Sequence, residues 1–190
     1  MSDQVFVVNV PKLAAYYDSG RQCLSQTVLS WSTFLELHGS NTKVSAAPPG
    51  MSILLCHALV KIQNDRDLPL ILPFPQDGTR TLGDMVAFAA CILEFPVAYV
   101  PSGDGSDPFL AGIPLDVYEC VLVQPVLGLP EHIMLKFSCP QTITAEVSEL
   151  RPDVLGERLR ARFAERLERA GFRGTLLLRH TVETMDRVAL

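Results

Sequence analysis

The sequence predicts an α/β fold, and three observations carry that reading. From Leu68 to Val100 the chain runs through a short apolar strand, a polar loop, an apolar helix and a second strand. That β-loop-α-β order calls for neighbouring strands that point the same way. Ahead of it, segments with the 3.6-residue period of a helix alternate with shorter strand-like runs. After it, Leu115–Val123 and Ile133–Cys139 are two strands joined by a nine-residue loop with Pro and Gly, an expected antiparallel hairpin. The expectation is a single three-layer α/β domain over residues 1–190. It has a mixed, partly parallel sheet and a C-terminal antiparallel hairpin plus an Arg-rich helix.

Each element has its own signal. Gln4–Val10 is Val-rich and reads as a buried strand. Pro11 suits the first turn of a helix carried to about Thr27, although Asp18-Ser19-Gly20 could be a turn that splits it. In the strand Trp31–His38, Thr33, Leu35 and Leu37 share one face, and Phe34, Glu36 and His38 the other. Residues 39–48 are polar and read as a loop ending in Pro48-Pro49. Met51, Leu54, Leu55, Ala58, Leu59 and Ile62 then mark one buried helix face, with His57, Lys61 and Asn64 on its outer side. Leu68–Pro73 is the next strand, and Gln76–Arg80 the loop after it. Thr81–Phe95 is a helix whose opening Thr81-Leu82-Gly83-Asp84 matches a capping box, followed by the strand Pro96–Val100. Pro152–Ala170 is an amphipathic helix with Leu155, Leu159, Phe163, Leu167 and Ala170 inward, and Gly171 follows its end. Thr175–Glu183 closes the chain as a last strand.

Composition narrows the function classes. Charged residues make up 19% of the chain, below the usual proportion of about 25%. Mean hydropathy is +0.23. Either the core is unusually complete, or a partner covers apolar surface. The longest charge-free apolar run, Met85–Leu93, has nine residues against roughly 20 for a spanning helix, which argues against membrane insertion. The N-terminus lacks the basic region of a signal peptide. Cys23, Cys56, Cys91, Cys120 and Cys139 are scattered and form no CxxC, which fits buried thiols in the reducing cytoplasm. The net charge of −5 divides into −8 over residues 1–150 and +3 over residues 151–190, where all nine basic residues are Arg. No strongly basic body exists, which argues against a nucleic-acid partner.

One segment carries a resemblance. Leu93-Glu94-Phe95-Pro96-Val97-Ala98-Tyr99, with Leu110 and Pro114-Leu115-Asp116-Val117-Tyr118 after it, resembles an uncharacterised eukaryotic family of unknown function. In that family the corresponding helix ends in Leu-Gly-Tyr-Pro-Val-any-Tyr. The resemblance extends to Lys136-Phe137-Ser138-Cys139-Pro140, the Arg-rich helix and the terminal Val188-Ala189-Leu190. Glu94-Phe95 stands where the family has Gly-Tyr, and a strand-helix segment expected ahead of Val5 is missing. The resemblance implies a single α/β domain and supplies no catalytic residue.

Candidate sites follow from loops and charge. If the strands before them are parallel, the loops at His38-Gly39-Ser40-Asn41, Gln76–Arg80 and Ser102-Gly103-Asp104-Gly105 gather at one sheet edge. His38, Asp77, Gly78, Arg80, Thr81 and Asp104 are then ligand-binding candidates, for an anion, a divalent cation or acid–base work. The competing reading is that Asp-Gly pairs make turns and that Thr81 and Asp84 only cap the helix. Arg158, Arg162, Arg166 and Arg169 form a ridge at spacings of 4, 4 and 3, available for an acidic partner or simply solvated. Cys56 and His57 diverge by about 100° on their helix and cannot act as a nucleophile–base pair. His132 and Cys139 have no local signature either. No residue pattern assigns a catalytic group, a cofactor or a metal. The leading expectation is a non-catalytic interaction or assembly component with a protein partner or a second copy of itself. The alternative is a small-ligand-binding protein or hydrolase-like enzyme working at the three-loop edge.

Overall fold

The computed structural model describes residues 31–38, 41–64, 80–101, 110–123 and 130–184, with short pieces at 11, 17–18 and 23–24. The elements are α/β: helices with two three-stranded sheets, one mixed and one antiparallel. The chain divides into two compact units, Met1–His38 with Val44–Pro108, and Gly39–Lys43 with Phe109–Leu190. Among the described residues no helix is long and apolar enough to cross a membrane.

The first strands are β1 (Tyr17–Asp18) and β2 (Cys23–Leu24), which pair antiparallel with Tyr17 opposite Leu24. The continuous helix expected from Pro11 to Thr27 is therefore corrected. Asp18-Ser19-Gly20 favours a chain reversal over a helix interior, because Gly is a poor helix former and Asp and Ser compete for local backbone bonds. Next come β3 (Thr33–His38) and β4 (Asn41–Ser45). The polar stretch 39–48 thus holds a strand where a loop was expected. Its pairing with β3 satisfies backbone groups that its own side chains leave no reason to bury, and Ser45 Oγ donates to the Phe34 carbonyl.

Helix α1 (Pro49–Asn64) follows, then α2 (Leu82–Leu93) and β5 (Val97–Pro101). The sheet order is β4-β3-β5, and β3 and β5 run parallel with Leu35 opposite Tyr99. The expected mixed, partly parallel sheet is thus present, with β3 as the strand parallel to β5. The expected strand Leu68–Pro73 and loop Gln76–Thr79 lie outside the described residues. Met51, Leu54, Leu55, Ala58 and Leu59 of α1 pack with Ala87, Phe88 and Cys91 of α2 and with Phe34, Ala98 and Val100 of the sheet. Those are the apolar positions that the helical period singles out.

The ends of α2 are held by local chemistry. Thr81 Oγ1 accepts from the Asp84 backbone N–H at 3.1 Å, and Asp84 Oδ2 accepts from the Thr81 N–H at 3.0 Å. The capping box is therefore closed in both directions. At the other end Glu94 takes the left-handed conformation, φ 60 and ψ 40, and its N–H closes the helix onto the Ala90 and Cys91 carbonyls. This is the position a glycine fills most easily. The turn is clamped to the start of β3 by three successive bonds. Trp31 Nε1 donates to the Glu94 carbonyl, Ser32 Oγ to that of Phe95, and the Thr33 N–H to that of Pro96, each at 2.8 Å.

The second unit is built on β6 (Pro114–Val123), β7 (His132–Pro140) and β8 (Thr175–Thr184). Their order is β7-β6-β8, antiparallel throughout, so the expected hairpin is present and the last strand joins its other side. Between β7 and β8 come α3 (Gln141–Glu146), a 3-10 turn (Ser148–Leu150) and α4 (Pro152–Arg169). Leu155, Leu159 and Phe163 of α4 are buried, whereas Leu167 is half-buried and Ala170, expected inward, is exposed at the helix end. Gly156 brings α4 against β8: a Cβ there would meet Leu178 Cδ2 at 3.0 Å.

Candidate functional site

Strand β6 is buried on both faces from Leu115 to Tyr118, so Asp116 is a carboxylate inside an apolar sheet, 2% exposed. Side chains alternate along a strand, which puts Asp116, Tyr118 and Cys120 on one face. The register sets Tyr118 directly between Phe137 of β7 and His180 of β8. Their rings stack across the sheet, with centroids 5.0 Å apart on both sides and interplanar angles of 13° and 29°.

Asp116 sits beside this ladder and gathers donors from two elements. Oδ2 accepts from Thr144 Oγ1 at 2.7 Å, and Oδ1 from Gln141 Nε2 at 3.3 Å. Gln141 and Thr144 lie three residues apart on α3, so one helix face presents both. His180 Nε2 lies 2.8 Å from Oδ1. A buried charge is tolerated only when it is paired and hydrogen-bonded, and this one is. An ionised carboxylate accepts and cannot donate, so Nε2 carries the ring proton. Nδ1 has no partner among the described residues. The aromatic stack and the carboxylate together fix the orientation of the imidazole.

These groups line a cleft of about 550 Å³, formed by Asp116, Gln141, Thr144, Arg151, His180 and Val182 among others. Arg151 precedes α4, is exposed, and places Nε 3.4 Å from Asp153 Oδ1. An exposed pair of this kind contributes about 0–1 kcal/mol, so its guanidinium is readily shared with another anion. The thiols nearby are not nucleophiles. Burial, and then the Asp116 carboxylate, pushes Cys139 up to about 12, and burial pushes Cys120 up to about 11. The Tyr118 phenol is also held well above its usual range, by burial first and Asp116 second. Its hydroxyl is buried with no hydrogen-bond partner among the described residues.

The residues singled out from sequence lie elsewhere. Asp77, Gly78 and Asp104 are outside the described residues. His38 ends β3, exposed, with Nε2 3.4 Å from Glu36 Oε2. The Thr81 hydroxyl is engaged with Asp84 as both donor and acceptor, which favours the capping reading. Arg80, beside it, is half-buried. The Arg ridge is likewise not a free cationic face. Arg158 donates to the Glu149 carbonyl at 3.1 Å, Arg166 lies 5.4 Å over the Phe163 ring, and Arg169 pairs with Glu165. Arg158, Arg162 and Arg166 all have interactions within the chain. Arg166 and Arg169 thus find partners on α4 itself, and Arg158 finds one in the turn before it.

Sequence reasoning passed over Asp116, Gln141, Thr144 and His180. Asp116 and His180 are 64 residues apart, and no motif links them. The available signal was a carboxylate, Asp116, near the start of the largely apolar run Leu115–Val123, a residue that needs partners if the strand is buried. Among the described residues no cluster of three or more His, Cys, Asp and Glu could hold a metal ion. No protein-family model matches the chain, and no curated protein or solved structure is similar enough to count as a relative.

Proposed function

We propose that this chain binds a small ligand carrying an anionic group, a carboxylate or a phosphate, in the Asp116–His180 cleft. The observation that carries the reading is an imidazole held from two sides whose remaining nitrogen has no partner among the described residues. Rigid placement of a polar group at an open cleft lowers the ordering cost of binding. Protonated at Nδ1, His180 donates to the anion while Asp116 compensates the ring charge. Arg151 supplies a second cation in the lining. The cleft ranks ahead of the assembly role because the Arg ridge, one of the features that suggested that role, is engaged within the chain. Binding is preferred to hydrolysis because the lining offers no activated nucleophile: the Thr144 hydroxyl already donates to Asp116.

Nitrogen-15 NMR of His-labelled protein tests this, titrating inorganic phosphate and then a simple dicarboxylate. His180 resonances move saturably in the wild type and not in His180→Gln. Signals of His180 that stay fixed at high anion concentration refute the reading.

A further inference from the structure

We infer that two copies of this chain associate through strand β8, edge to edge and antiparallel, so that β7-β6-β8 continues into β8-β6-β7 of the second copy. The inference does not depend on the cleft binding an anion. Strand β8 has ten residues, and its outer side has no strand partner among the described residues. It contains neither Pro nor Gly, the residues that usually blunt an edge. Arg179, His180, Thr181 and Val182 are exposed in succession, and Val182 keeps 53% of its surface. A long exposed edge of this composition is a template for another strand.

Charge selects the second copy as occupant and sets the register. A twofold axis perpendicular to the sheet keeps the helix-covered faces on one side, so residues of like parity stand opposite each other. Centring the pair on Arg179 sets Arg against Arg, and centring it on His180 sets His against His. Centring on Val182 leaves Arg179 beyond the end of the partner strand. Centring on Thr181 places Thr181 opposite its own copy, His180 opposite Val182, and Arg179 opposite Glu183 twice over. Threonine pairs and opposite charges are favourable directly across an antiparallel ladder. Both charged groups have capacity left. Arg179 uses only Nη2 for Glu131, and Glu183 accepts at Oε1 from Thr181.

Sedimentation velocity at sub-millimolar concentration tests the inference. The wild type runs at twice the 20.9 kDa chain mass. Glu183→Arg sets like charges opposite each other at both symmetric positions and weakens association roughly tenfold or more. The charge swap Arg179→Glu with Glu183→Arg restores it. Thr181→Cys forms a disulfide-linked dimer on mild oxidation, since directly opposed Cβ atoms lie within about 5 Å. Thr175→Cys does not. Should circular dichroism find Glu183→Arg unfolded, the Thr181→Cys result decides. A wild-type monomer, a dimer indifferent to Glu183→Arg, or cross-linking at Thr175 in place of Thr181 overturns the inference.

Discussion

Replacing Thr144 with Val tests whether the buried carboxylate is held as the structure describes. Valine keeps the shape and removes only the hydroxyl, which is 2.7 Å from Asp116 Oδ2 at a residue 5% exposed. A buried hydrogen bond to a charged acceptor contributes about 1.5–3 kcal/mol, and 2.7 Å is at the short end for a neutral donor. Gln141 and His180 remain on Oδ1, so the carboxylate is not stranded and the loss should stay within that range. Against a total stability of about 5–15 kcal/mol this is easily measured. Urea unfolding followed by circular dichroism should give a lower midpoint with an unchanged slope. A cycle with Asp116→Asn sharpens the test: the two losses should be non-additive by about 1 kcal/mol or more, because both act on one contact. A Thr144→Val effect below about 0.5 kcal/mol, or strict additivity in the cycle, would refute the account of how Asp116 is stabilised.

Two further outcomes follow from the same sheet. Tyr118→Phe should raise stability by about 1–2 kcal/mol, since it removes a buried hydroxyl without a hydrogen-bond partner among the described residues and keeps the ring between Phe137 and His180; a loss of stability in urea would refute this. Stability should also fall steeply in alkali, because Cys139 and Cys120 hold their protons to about 12 and about 11 in the folded chain. The unfolded chain releases those protons from about pH 8.5. Between there and pH 11 it binds fewer protons than the folded chain, so each thiol lowers stability by about 1.4 kcal/mol per pH unit, with its full contribution present below pH 8.5. Urea midpoints at pH 8 and pH 10 give the slope, which Cys139→Ala should roughly halve; a flat profile would sink the assignment of both thiols to the core.

Local chemistry made much of the fold legible. The alternation of Met51, Leu54, Leu55, Ala58 and Leu59 names the face that α1 buries, and the Thr81–Asp84 box marks where α2 starts. Both signals act over a few residues, so the chain itself encodes them. Strand β4 and helix α3 carried no such signal. The first is polar and becomes a strand by pairing with β3, while the second spans only Gln141–Glu146 and packs where β7 ends. Elements of that kind take their energy from neighbours, not from intrinsic preference.

Local pattern was enough for an α/β fold with a partly parallel sheet, the antiparallel hairpin, and the amphipathic α4 with its Glu165–Arg169 pair. Only the tertiary arrangement settled the separation of the two three-stranded sheets, the Arg158 bond to the Glu149 carbonyl, and the meeting of Asp116 with His180. The physical reason is range. Periodicity and caps are read over one or two turns, whereas strand order and register bring distant side chains within hydrogen-bonding distance, and no local pattern records which strand will lie beside which.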